Sequence, residues 1–272
     1  MEKQILTYLK CLVCGGESLE MGNDKIACNG CGASYPIKDG IPILVRPERQ
    51  AEILNQWDLT DYRDIYNEST PRVGDLIKKY TAHGTMALDA GCGLGAYNNY
   101  FLGDLISFDI SPFYVKETRK KYELPGRYFF VADARDIPLK KNVLSLILCA
   151  SMLEHLPKEE SDAVINFFIN NLSPRNIIIE VPNDSNQLVA LMRNLAYGRA
   201  MREAKASIVH TEEDHYRIFT VRDLKKFSFK VYGCIGWTSR QRFPWPKFWN
   251  LYDKIFWYLP ALAGDLIGIY KK

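Results

Sequence analysis

Residues 86–95 read Met-Ala-Leu-Asp-Ala-Gly-Cys-Gly-Leu-Gly, an apolar run of strand length that stops at Asp89 and then breaks into glycine at every second position. An apolar run, a glycine turn and a helix-compatible stretch over 96–102 predict the strand–turn–helix opening of an α/β unit. Without Cβ atoms, Gly91, Gly93 and Gly95 let the backbone take positive φ and approach a bound molecule closely. The amides of a following helix would favour an anion there.

The acids downstream narrow the reading. A second apolar run, 105–109, closes on Asp109, about twenty residues after the first acid, where a second strand tip reaches a ribose. A third, 128–131, leads into Ala132-Asp133-Ala134, where an aspartate and its neighbouring amide would read the amino edge of an adenine. These tips predict a ligand carrying adenosine. In the dinucleotide fingerprint the turn stays free for a pyrophosphate. Here Asp89 stands in front of the glycines, an anion that repels phosphate and suits an ammonium with a sulfonium beside it.

Leu-Asp-Ala-Gly-Cys-Gly-Leu-Gly, Phe-Asp-Ile-Ser, Val-Ala-Asp-Ala and Leu-Cys-Ala-Ser-Met-Leu-Glu-His-Leu, in that order, resemble the class I S-adenosylmethionine-dependent methyltransferases of the type 11 group. The resemblance covers roughly residues 75–272. It implies an α/β, Rossmann-like sheet, mostly parallel with the last strand antiparallel. It also implies S-adenosyl-L-methionine as cofactor, held by Asp89, Gly91, Cys92, Gly93, Gly95, Asp109, Ile110, Asp133, Ala134 and Cys149. One position departs from the family: the strand expected over 143–149 carries Ser145 where an aspartate is usual.

Ahead of this region, Cys11-Leu-Val-Cys14 and Cys28-Asn-Gly-Cys31 form two CxxC pairs separated by thirteen residues. Four thiolates at that spacing predict a tetrahedral Zn²⁺ site of zinc-ribbon type. Gly15, Gly16, Gly30 and Gly32 lie where the knuckles turn. Two disulfides are the alternative, disfavoured where no export signal is apparent. With Tyr35-Pro-Ile-Lys-Asp-Gly-Ile-Pro-Ile-Leu, the module resembles the Trm112-like zinc ribbons, whose stand-alone members bind and support methyltransferases. Over residues 1–50 six Lys and Arg balance six Asp and Glu, which points to packing or docking rather than a grip on phosphates. Cys92, Cys149 and Cys234 read as core residues.

The expected organisation is a zinc ribbon over 1–48, entrance helices over 49–80 and the methyltransferase domain over 81–272, with substrate-side insertions at 184–217 and 238–263. Tyr62, Arg63 and Tyr66 fall where the family folds a segment over its cofactor. The formal charge is +3, but residues 191–250 hold twelve Lys and Arg against five Asp and Glu, an opening for an anionic substrate. Residues 243–259 place Phe248, Trp249, Tyr252, Ile255, Phe256 and Leu259 at helical spacing. Packing on the sheet, a lid, a dimer face and an interfacial patch on a membrane all remain open for them. No apolar run reaches the length of a membrane span, and a cytoplasmic location is expected.

Methyl transfer from a sulfonium needs alignment and exclusion of water more than a nucleophile. If the acceptor must lose a proton, Glu154, His155 and His215 are the candidate bases. The acceptor is left open between RNA and a small molecule or lipid. The rival reading is a non-catalytic S-adenosylmethionine-binding or docking protein that works through its ribbon.

Overall fold

A computed structural model of the chain describes residues 3–59, 69–183, 216–234 and 246–272. Its strands are β1 (Leu19–Met21), β2 (Lys25–Cys28), β3 (Ser34–Lys38), β4 (Ile41–Leu44), β5 (Met86–Ala90), β6 (Asp104–Asp109), β7 (Arg127–Ala132), β8 (Leu144–Ala150), β9 (Asn176–Pro182), β10 (Lys230–Cys234) and β11 (Asp265–Lys271). The spatial order is β1-β2-β3-β4-β7-β6-β5-β8-β9-β11-β10. From β4 through β9 every neighbouring pair is parallel, while β11 runs antiparallel to both β9 and β10. This is the Rossmann-like, mostly parallel sheet expected, with its last strand reversed.

Periodicity explains the central strands. β5, β7 and β8 are apolar along nearly their whole length and buried on both faces, as parallel strands covered by helices must be. One face packs Leu88, Ile106, Phe130, Ile147 and Ile179 into the main core. The other packs Ala87, Leu105, Leu146, Leu148 and Ile178 against Val73 and Ile77 of α2 (Pro71–Tyr80). Helix α3 (Pro112–Tyr122) crosses between β6 and β7, and α4 (Lys158–Phe167), extended by a wider turn at Phe168–Leu172, crosses between β8 and β9. Ser145 fills the position of the usual aspartate by donating to the Met86 carbonyl at 2.9 Å.

The N-terminal module is built into this sheet. β1 to β4 form an antiparallel meander. Its last strand pairs in parallel with β7, Ile43 opposite Val131 and Leu44 opposite Ala132. Leu9 bridges Leu139, and Ile5, Leu9 and Tyr35 share a core with Tyr128 and Phe130. Behind it, α1 (Pro47–Asn55) and Trp57 pack with Ile43, Val115 and Phe129. Trp57 is fully buried, its indole N–H donating to Asp39 at 2.8 Å.

One local expectation fails. The stretch over 96–102 forms no regular helix, only a short 3-10 turn at Asn98–Tyr100. The chain must enter β6 at Asp104, and Asn98 is buried with its amide on Asp89 and its oxygen on the Ser107 hydroxyl. Those side-chain bonds replace the backbone ladder of a helix, so the anion site expected from helix amides is not built there.

Candidate functional site

The glycine turn follows β5 at the carboxyl edge of the parallel strands, where such sheets bind ligands. Gly91, Gly93 and Gly95 all have positive φ, at 72°, 48° and 76°. The amides of Gly91 and Cys92 both donate to the Phe108 carbonyl at 3.0 and 2.9 Å, folding the turn over the end of β6. A Cβ on Gly91 would meet Met152 at 2.7 Å, whereas one on Gly93 would meet nothing within 4 Å. The first glycine closes the wall of the site and the second faces open space.

Asp109 ends β6 beside that turn. One carboxylate oxygen accepts the Gly93 amide at 3.1 Å and the other accepts the Ser111 amide at 2.9 Å. The Thr118 hydroxyl on α3 donates to the Gly93 carbonyl at 2.6 Å, so strand, turn and helix are tied at one residue. Asp89 is 3% exposed, and burial, with Asp109 nearby, pushes its carboxyl up to about 7. Two acids this close disfavour a phosphate and favour a cationic group between them.

Asp133, at the tip of β7, is engaged. Its carboxylate accepts the Arg135 backbone amide at 2.9 Å and the Arg135 guanidinium at 2.6 Å, and it also pairs with Arg49 of α1. Burial opposes its ionisation, and the bonds from Arg135 together with the charge of Arg49 outweigh that and hold the carboxyl below its ordinary range. Ala134 is buried beside it, Ile110 is 40% exposed just past Asp109, and Cys149 is fully buried. Burial raises the thiols of Cys92 and Cys149 well above the ordinary value.

Among the candidate bases, Glu154 is buried at the tip of β8 and its backbone carbonyl accepts the Arg217 amide at 3.1 Å. His155 follows it in the same short turn. His215 lies outside the described residues, as do Tyr62, Arg63, Tyr66 and the helix expected over 188–205. Of the basic segment, Arg217 is buried and spoken for: it lies 2.8 Å from Asp162, 3.6 Å from Asp223 and over the Phe219 ring. Sequence reading missed Met152, Thr118, Asn98 and the Tyr97 hydroxyl, which donates to Glu180 at 2.5 Å. Thr118 and Glu180 lie 25 and 83 residues from their partners, and only the folded sheet brings them there.

The second cluster lies in the meander. Cys11, Cys14, Cys28 and Cys31 place their sulfurs within 4.8 Å of one another, and all four are free thiols rather than disulfides. Both knuckles close alike: the Gly15 amide donates to the Cys11 carbonyl and the Gly32 amide to the Cys28 carbonyl, each at 2.9 Å. Positive φ falls on Gly15 and Gly32, not on Gly16 or Gly30. Tyr35 stands behind Cys11, its hydroxyl 3.2 Å from the sulfur and accepting the Leu12 amide at 2.8 Å. Burial alone would raise the Cys11 thiol, but the Tyr35 hydroxyl and neighbouring amides bring it below the ordinary thiol value.

Residues 88–172 match the family described as a methyltransferase domain. The N-terminal region matches a UPF0434 protein of Pseudomonas fluorescens at 40% identity over 50 residues, covering 18% of this chain and 80% of that protein. The N-terminal module belongs to the UPF0434 family, and the chain carries a methyltransferase domain. Among solved structures, the chain is similar to the small RNA methyltransferase HEN1 (TM-score 0.49, 13% identity), covering 78% of this chain and 27% of that one. A SAM-dependent methyltransferase from Archaeoglobus fulgidus gives a TM-score of 0.47 at 16% identity, covering 75% of this chain and 95% of that one. Joining the UPF0434 module to the methyltransferase domain is β4, paired to β7, the strand that leads into Asp133.

Proposed function

We propose that the protein is an enzyme that transfers the methyl group of S-adenosyl-L-methionine to an acceptor, with the UPF0434 module holding one Zn²⁺ on Cys11, Cys14, Cys28 and Cys31. The observation that carries the reading is the carboxyl edge of β5 and β6, where a buried Asp89 near neutrality and Asp109 flank a glycine turn whose Gly93 opens outward. That donor set fits an ammonium and a ribose diol better than a pyrophosphate.

In this reading Asp109 accepts the ribose hydroxyls while its bond to the Gly93 amide fixes the turn. Asp89 faces the ammonium of the methionine part. Asp133, whose carboxylate also holds Arg49 and Arg135, reads the amino edge of the adenine together with its neighbouring amide. The cofactor, when bound, supplies an electrophilic methyl. Gly91, Met152 and the turn at Leu153–His155 form the wall that excludes water. Glu154 or His155 takes the acceptor's proton where one must leave. The acceptor is RNA or a small molecule or lipid. A cytoplasmic location stays part of the proposal; among the described residues no helix is long and apolar enough to cross a membrane.

Calorimetry tests the reading. S-adenosylhomocysteine should bind and NADH should not. Binding of NADH, or an Asp109→Ala variant that binds S-adenosylhomocysteine as tightly as the parent, overturns it.

A further inference from the structure

The helix Pro246–Phe256 and the short turn at Pro260–Leu262 connect β10 to β11. Cys234 and Asp265, where those strands meet the connection, lie opposite each other, and Asp265 pairs with Pro182 at the carboxyl end of β9. The connection therefore stands on the edge of the sheet that carries the glycine turn and Asp109.

Over residues 251–262 the usual order is partly reversed. The acid, Asp253, is 3% exposed, while Tyr252 stacks on Phe256 and Trp257 stacks on Tyr232. Leu251, Ile255, Tyr258, Leu259 and Leu262 point outward, between 48% and 76% exposed. A short surface helix ordinarily does the reverse, and a cluster of outward aliphatic residues marks an interaction surface. Lys254 is exposed on the same helix. A second element brings apolar side chains to this edge: Tyr216 and Ile218, 70% and 59% exposed, flank Arg217, whose amide bonds to Glu154 at the tip of β8.

Outward aliphatic and aromatic side chains, the exposed Lys254 beside them and Asp253 turned inward match the chemistry of an anionic lipid–water interface. An RNA groove would present cations in place of the aliphatic residues. We propose that the 251–262 face seats the protein on an anionic bilayer surface, delivering the cofactor edge to an acceptor held at that surface. The proposal rests on the methyl-transfer reading and narrows its acceptor to one at a lipid surface.

The test is flotation of the full-length protein with phosphatidylcholine vesicles, with or without phosphatidylglycerol. Alongside run the doubly substituted Leu251→Ser, Ile255→Ser protein and Lys254→Glu. Both changes fall on exposed side chains, and unaltered melting and S-adenosylhomocysteine binding would show that the fold and cofactor edge are intact. The parent should float with the anionic vesicles, and the double variant should bind them about tenfold or more weakly. Lys254→Glu should reduce binding to the anionic vesicles selectively. Any of four results overturns the proposal: no flotation of the parent, equal flotation with both vesicle types, a double variant that floats like the parent, or loss in that variant of binding to total RNA or of a dimer instead. Failure of the cofactor reading would appear separately, as a parent that does not bind S-adenosylhomocysteine.

Discussion

The Gly93 amide donates to the Asp109 carboxylate at 3.1 Å, across sixteen residues of sequence, so the turn after one strand is held by the acid that ends the next. Asp109 thus shapes the pocket before any ligand arrives. Replacing it with alanine removes both the ribose acceptor and the bond that fixes the turn. We expect S-adenosylhomocysteine affinity to fall by about 1.5–3 kcal/mol, measured by calorimetry. Asp109→Asn, which keeps one oxygen, should lose less.

Asp89 gives a pH dependence whose sign follows from its burial. Its carboxyl is raised from 3.8 to about 7 in the folded state, so the fold binds that proton more tightly than the unfolded chain does. The ligand-free protein should lose stability as pH rises from about 4 to about 7, and Asp89→Asn should remove that slope. Binding of a ligand with an ammonium next to Asp89 should show the opposite trend, tightening as pH rises through about 7 because it favours the ionised acid. Thermal melts and calorimetry across that window check both signs.

Metal removal should reach beyond the module. A cluster of four thiols in a meander this small supplies folding energy when loaded, and β4 shares its ladder with β7. We expect one Zn²⁺ per chain by elemental analysis under reducing conditions, and a chelator should lower the melting temperature of the whole protein in one transition. Tyr35→Phe should cost about 1–3 kcal/mol, since it strands the buried Leu12 amide and removes the hydroxyl from Cys11.

Arg217 should behave as a structural cation. Its guanidinium side chain is 3% exposed and held by Asp162 and the Ser161 hydroxyl. Arg217→Ala removes the hydrogen bond to the Ser161 hydroxyl and one of the two cations on Asp162, which keeps Lys226 at 3.1 Å, and should cost about 1–3 kcal/mol by denaturant unfolding. An exposed neighbour such as Lys225→Ala should change stability little.

What the sequence disclosed were features that a local pattern can carry. The apolar strands ending in Asp89, Asp109 and Asp133, and the CxxC spacing, each sit within a few residues, and the structure brings them to one sheet edge and one thiol cluster. The helix expected over 96–102 was illegible because Asn98 finds partners in Asp89 and Ser107, contacts that exist only once β5 and β6 lie side by side. The same limit hid the pairing of Arg49 with Asp133 and the burial of Arg217, since a charged residue in a basic stretch reads as solvated until its partners are placed. Helical spacing in 243–259 foretold an amphipathic helix but not its sense: Ile255 and Leu259 share a pattern with Tyr252 and Phe256 yet face outward.

The ladder between β4 and β7 also bears on mass action. The outer edge of β7 would otherwise be an open row of amides and carbonyls, available to any strand that met it. Here the occupant is tethered by the same chain, so its local concentration is set by the connection through α1 and α2 rather than by how much protein is present. Dilution should therefore neither strip that edge nor lower activity per molecule, and a separately added copy of the meander should find no place to pair.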